Sequence, residues 1–187
     1  MNTSTTSLKK RTMQHVPEPT SAVGAPTPYQ TGNDIELGAR IELTRLMNQR
    51  LSDIIDLQSQ LKQAHWNVKG PSFIGLHALF DQTYVTVTGY VDMIAERIVQ
   101  LGGIAEGTVR TAAARTRLAE YPLAISEGPM HVEAVARALS TCGCEARTMI
   151  GEADASADAG TADLFTEISR GIDKALWFVE AHGQARS

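Results

Sequence analysis

Proline placement constrains this chain more than any other feature. Four of its seven prolines (Pro17, Pro19, Pro26 and Pro28) crowd the first 28 residues, and the others stand singly at Pro71, Pro122 and Pro129. Proline inside a helix removes a hydrogen bond and clashes with the preceding turn, so the sequence divides into a broken N-terminal stretch and long runs open to helix. Within those runs apolar residues recur at steps of three and four. Met47, Leu51, Ile54, Leu57, Leu61, His65 and Val68 mark one face of a first helix, from about Ile35 to Val68, that Gly70 and Pro71 stop. Leu76, Phe80, Val87, Val91, Ile94, Ile98 and Leu101 mark a second, from about Ser72 to Leu101, ended by Gly102 and Gly103. Its middle, Tyr84 to Thr88, alternates like a strand, but the helical period continues on both sides and decides for helix.

A third helix starts near Pro129, a good first-turn residue, and carries Val132, Val135, Leu139, Cys142, Ala146 and Ile150. A fourth follows Gly160, with Thr161 as its N-cap and Asp163 in its first turn, and carries Leu164, Ile168, Ile172, Leu176 and Val179. Residues 104–128 connect the second to the third, with a short helix expected over Ala112 to Ala119. A connection that long suits two helices running parallel. The expected fold is therefore all-α: a ferritin-like four-helix bundle over residues 35–187 with a short helix in the crossover. Residues 1–34, rich in Pro, Ser and Thr, bury too little to offset their ordering entropy and read as a flexible arm.

Of the 187 residues 43% are hydrophobic and 20% charged, which excludes wholesale disorder. The net charge of -4 argues against coating nucleic acid with the whole surface. Any basic contact to DNA falls to Lys9, Lys10 and Arg11 in the arm. No apolar run reaches the ~18 residues that span a bilayer. The two cysteines, Cys142 and Cys144, lie two apart on an expected helix and cannot build a disulfide framework, so a reduced, cytoplasmic protein is expected.

The chemistry concentrates in His65, His77, Asp81, Asp92 and Glu96. His77 and Asp81 are four apart on the second helix, as are Asp92 and Glu96. At about 100° per residue the four lie on one stripe, which Phe80, Val91 and Ile94 flank and mark as buried. One chain cannot gather them, because Asp81 and Asp92 are separated by about 16 Å of helix at ~1.5 Å per residue. The numbers 77 and 96 add to 173, and so do 81 and 92. Two copies of this helix, antiparallel across a twofold axis between Thr86 and Val87, would bring His77 to Glu96 and Asp81 to Asp92 twice over. Thr86, Thr88 and Gly89 are small enough for close approach, and His65 completes each site. Imidazole and carboxylate donors without thiolate suit iron, with zinc or manganese as competitors. A di-iron site inside one bundle needs Glu-x-x-His on two helices. Here Gly128 precedes His131 by three and Val179 precedes His182 by three, so the site belongs between subunits.

These residues sit in segments that resemble the Dps family of mini-ferritins: Lys62-Gln63-Ala64-His65-Trp66-Asn67-Val68-Lys69-Gly70-Pro71, then Leu76-His77-x-x-Phe80-Asp81, then Asp92-x-x-Ala95-Glu96-Arg97-Ile98, and Asp173-Lys174-x-Leu176-Trp177-Phe178. The similarity runs over about residues 40–182. It implies a ferroxidase centre with His65, His77 and Asp81 from one subunit and Asp92 and Glu96 from its mate. It also implies a hollow dodecamer that oxidises Fe(II), usually with hydrogen peroxide, stores ferric mineral and protects DNA. Trp66 beside the centre would intercept stray oxidising equivalents; large aromatic core packing is the plainer role for Trp66 and Trp177. Glu152, Asp154, Asp158 and Asp163 correspond to acidic residues lining threefold iron-entry pores, with Asp154 and Asp158 sharing a wall one turn apart. Binding of DNA by twelve arms acting together is the alternative function, and an inert helical oligomer the third.

Overall fold

A computed structural model describes residues 29–184. They form five helices: α1 (Leu37–Asn67), α2 (Phe73–Gln100), the short α3 (Val109–Arg115), α4 (Gly128–Ala155) and α5 (Ala159–Gln184). Lys9, Lys10 and Arg11, with most of the expected arm, lie outside the described residues.

Side-chain pairs fix the helix directions. Arg50 reaches Glu145 at 2.7 Å while Lys69, just past the end of α1, pairs with Glu127 just before α4, so α1 and α4 run antiparallel. Arg97 near the end of α2 meets Asp158 and Thr161 at the start of α5, so that pair is antiparallel too. The reciprocal contact of His65 with His77, across the short α1–α2 turn, makes a hairpin of those two. Helices α2 and α4 are therefore parallel, and residues 101–127 must traverse the length of the bundle to join them. The long crossover follows from direction alone.

The core is the set of stripes that the periodicity marks. Met47, Leu51, Leu57, Leu61, Phe80, Ile94, Ile98, Leu139 and Ile168 are all wholly enclosed. The β-branched middle of α2 stays helical because Val87 is buried and the threonines are satisfied within the helix. Thr83, Thr86 and Thr88 each donate their hydroxyl to the carbonyl four residues back, at 2.8, 3.1 and 2.8 Å.

Three boundaries differ from expectation. The crossover helix spans Val109–Arg115 rather than Ala112 to Ala119, because Thr108 caps it by accepting from the Thr111 N–H, and Thr116 leaves the helix to donate to Asp56 at 2.7 Å. The last helix is capped by Asp158, not Thr161. Asp158 Oδ1 accepts the Thr161 N–H at 3.0 Å and Oδ2 the Thr161 hydroxyl at 2.5 Å, which places Thr161 one turn inside. Residues 29–34 run back over the end of α2, where the Tyr29 N–H donates to the Gly102 carbonyl at 2.7 Å. A Cβ on Gly102, whose φ is +86°, would stand 2.6 Å from the Tyr29 carbonyl, so only glycine admits this crossing.

Candidate metal centre

The helix-breaking pair Gly70-Pro71 turns the chain sharply after α1, and that turn brings His65 back against His77. Their rings stack with centroids 3.7 Å apart at 23°. His65 Nδ1 lies 2.8 Å from the His77 carbonyl, and His77 Nδ1 lies 2.8 Å from the His65 carbonyl. A carbonyl only accepts, so each Nδ1 carries the hydrogen, and Nε2 is the nitrogen left to each ring for a metal. Backbone contacts thus set both tautomers to the form that binds metal through Nε2, as outer-shell partners commonly do. Phe73 packs on His77 with ring centres 5.0 Å apart, closing the other side.

Asp81, one turn beyond His77, is half-buried and paired with Lys62, whose ammonium also lies 4.4 Å over the Tyr84 ring. The Lys62 hydrogen bond, first, and then the nearby charges of Lys62, His65 and His77 hold the Asp81 carboxyl below the usual carboxylate range. Lys62 appears in the sequence motif, but nothing in its spacing announces an ion pair with a candidate ligand. Only the turn that folds α1 onto α2 does so.

Asp92 and Glu96 lie far along α2 from this group and are exposed. The expectation that the whole stripe is buried fails for one chain, because Phe80, Ile94 and Ile98 face the bundle while His77, Asp81, Asp92 and Glu96 face away from it. Among the described residues, no three His, Cys, Asp or Glu side chains of a single chain converge as a metal site. Trp66 and Trp177 are 68% and 60% exposed, so neither packs in the core of its own chain.

The four acidic residues near the α4–α5 junction separate into two kinds. Glu152, Asp154 and Asp163 are exposed. Asp158 is 2% exposed, caps α5 and bonds Arg97 at 2.7 Å, so its carboxylate is already engaged. It does not share a helical wall with Asp154 either: α4 ends at Ala155 and the chain turns through Ala157 at a φ of +54°. Cys142 is buried and Cys144 exposed, and both are free thiols.

Residues 44–185 match the ferritin-like domain family. A DNA protection during starvation protein of Agrobacterium fabrum is 40% identical over 159 residues, covering 85% of this chain and 98% of that one. DpsA14 from Streptomyces coelicolor superposes with a TM-score of 0.81 at 32% identity, over 88% of this chain and 99% of that one. A structure of Dps from Microbacterium arborescens in the high iron form gives a TM-score of 0.75 at 30% identity, over 83% and 99%. Matched to the ferritin-like domain over most of its length, and to these relatives along nearly the whole of theirs, the chain belongs to the Dps family of ferritin-like proteins.

Proposed function

We propose that this protein is a ferroxidase and iron-storage mini-ferritin. It oxidises Fe(II) with hydrogen peroxide at sites shared between two subunits and sequesters ferric mineral in a hollow dodecamer. DNA is protected because both reagents of hydroxyl-radical chemistry are consumed. The observation that carries this reading is the reciprocal bonding of His65 and His77, which readies two imidazole Nε2 atoms for metal beside the Asp81 carboxylate.

Exposure along α2 supports the sharing. Asp92 and Glu96 are open to a second copy, and the 173 rule that pairs them with Asp81 and His77 also pairs Ile74 with Val99 and Tyr84 with Gly89. Ile74 and Val99 are 75% and 58% exposed, so an antiparallel α2 pair would bury an apolar contact beyond each ligand set. A Cβ on Gly89 would meet nothing within 4 Å in its own chain, which leaves room there for the partner's ring.

Chemically, two ferrous ions held by imidazole and carboxylate supply two electrons together. One peroxide then takes both electrons and two protons to give two waters, and no one-electron hydroxyl product is released. Iron here is substrate and cargo. Glu96, unengaged on its own chain, is the strongest carboxylate ligand in this reading, so Glu96→Ala abolishes rapid oxidation.

Subunit complementation tests the sharing. A His65→Ala chain and a Glu96→Ala chain are each inactive alone. In a mixed dimer one site carries both lesions and the other none, so random reassociation restores about a quarter of wild-type sites. Stopped-flow absorbance of ferric formation reads the recovery. No recovery on mixing, with mixed dimers verified by mass spectrometry, would overturn the shared site.

A further inference from the structure

We propose that Tyr121 and His131 form a redox-active phenol–imidazole pair, in which Tyr121 gives up an electron to a one-electron oxidant while its proton passes to His131 Nδ1. The Tyr121 hydroxyl lies 2.6 Å from His131 Nδ1, and the two side chains are 7% and 0% exposed. Their contact joins the crossover to the first turn of α4 at one point.

Both proton positions follow from the surroundings. Burial holds the His131 imidazole below its ordinary pKa, so at rest the ring is neutral. Its Nε2 has no hydrogen-bond partner of good geometry, but the backbone of Asn67, the last residue of α1, stands next to it. The imidazole is thus a vacant base at Nδ1, with the negative end of the α1 dipole beside the opposite nitrogen to favour a transient positive charge. Burial pushes the Tyr121 phenol upward, so loss of its proton to solvent before oxidation is closed at neutral pH. Oxidising a buried phenol without moving its proton would leave a cation in an apolar site, which is costly. A fixed acceptor removes that cost.

Oxidising equivalents have a way in. Tyr121 lines a groove of about 690 Å³ between α1 and the crossover, and Trp66, Lys62 and Tyr84 line the same groove. Trp66 follows the candidate ligand His65 and is exposed. The source of the oxidant rests on the iron chemistry proposed above: a ferrous ion that meets peroxide alone yields a hydroxyl radical. The step balances as one electron from Tyr121 reducing hydroxyl radical to hydroxide, and one proton from Tyr121 to His131. The products are a neutral tyrosyl radical and an imidazolium. The redox competence of the pair needs no iron.

The test therefore uses the assembled, metal-free protein. Azide radicals generated by pulse radiolysis oxidise exposed indoles, and transient absorption follows indolyl radical giving way to tyrosyl radical as Tyr121 supplies the electron and water reprotonates the indole. The expected result is a tyrosyl signal that Tyr121→Phe loses. The triple variant Tyr29→Phe, Tyr84→Phe, Tyr90→Phe keeps it, and this variant leaves the pair intact whatever Tyr121→Phe does to folding. His131→Gln is expected to slow the transfer and to abolish its solvent deuterium isotope effect, a readout that packing alone would not move. A full tyrosyl signal in Tyr121→Phe, its loss in the triple variant, or an unchanged rate and isotope effect in His131→Gln would each overturn the pair. Failure of iron oxidation would overturn only the proposed function, since no arm of this experiment contains iron.

Discussion

His65 and His77 each hold the other's backbone carbonyl through Nδ1 at 2.8 Å while their rings stack 3.7 Å apart. The two residues thus stitch the last turn of α1 to the first turn of α2, each ring held by the other's backbone and stacked on the other's ring. Removing either imidazole loses its own hydrogen bond and the stack, while the surviving ring keeps the backbone carbonyl it bonds. Alanine at either position is expected to cost about 1–3 kcal/mol, and the double variant less than the sum by about 1 kcal/mol or more. Urea unfolding of the four forms measures the coupling, and additive losses would show that the rings act independently. Each single variant should also bind Zn2+ more weakly by calorimetry, because one of the two imidazole donors is gone while the survivor keeps the tautomer its backbone partner sets.

Lys62 occupies the Asp81 carboxylate that a metal would need. The pair is partly exposed, with side chains 25% and 44% accessible, so its net worth is small and screened by salt. A metal must still displace the ammonium. Lys62→Gln is expected to tighten Zn2+ binding severalfold at low ionic strength. The gain should shrink as salt is added. Equal affinity in both forms at low salt would mean that Asp81 binds metal without competition, or not at all.

The helices were legible because burial imposes a period that the sequence states outright, as Leu51, Ile54, Leu57 and Leu61 do on α1. The strand-like Tyr84–Thr88 segment could be read correctly only by letting that period outweigh local propensity. End effects were less legible. Asp158 and Thr161 both cap well, and which one does so depends on Arg97, distant in sequence, drawing Asp158 into the bundle. The ligand stripe was legible as a set of spacings, yet its burial was misjudged. Residues at 100° steps flanked by Phe80 and Ile94 look internal on a list, whereas the bundle uses the opposite side of α2. Tyr121 and His131 gave no signal at all. Their contact exists because the crossover returns to the start of α4, a tertiary fact with no periodicity behind it.

Asp158 does two jobs at once, which makes its loss expensive. Its carboxylate caps α5 through Thr161 and pairs with Arg97, whose side chain is only 16% exposed. Asp158→Ala leaves an uncapped helix and a largely enclosed guanidinium, and is expected to destabilise the fold by about 3–5 kcal/mol. Asp158→Asn keeps a capping oxygen and should cost visibly less. If the two variants unfold at the same urea concentration, capping contributes nothing and the charge pair carries the whole effect. Asp163→Asn, on the exposed face of α5, serves as the control and should fall within about 0.5 kcal/mol of the parent.

Acid should find the protein through His131. Burial holds this imidazole below its ordinary pKa of about 6.5, whereas in the unfolded chain it returns to that value. The unfolded state therefore binds a proton that the folded state refuses. Stability contributed by the neutral ring is fully present above about pH 7.5 and declines as pH falls through about 6.5 toward the lower folded value. The limiting slope for one proton is about 1.4 kcal/mol per pH unit. The difference between the parent and a His131 variant isolates His131. His131→Gln is expected to be less stable than the parent at neutral pH but to lose less on acidification, and the two stability curves converge toward pH 5.5, about one unit below the unfolded value. Urea midpoints taken across that range decide it: parallel curves would mean that His131 is protonated in the fold, with the Asn67 backbone holding its second hydrogen.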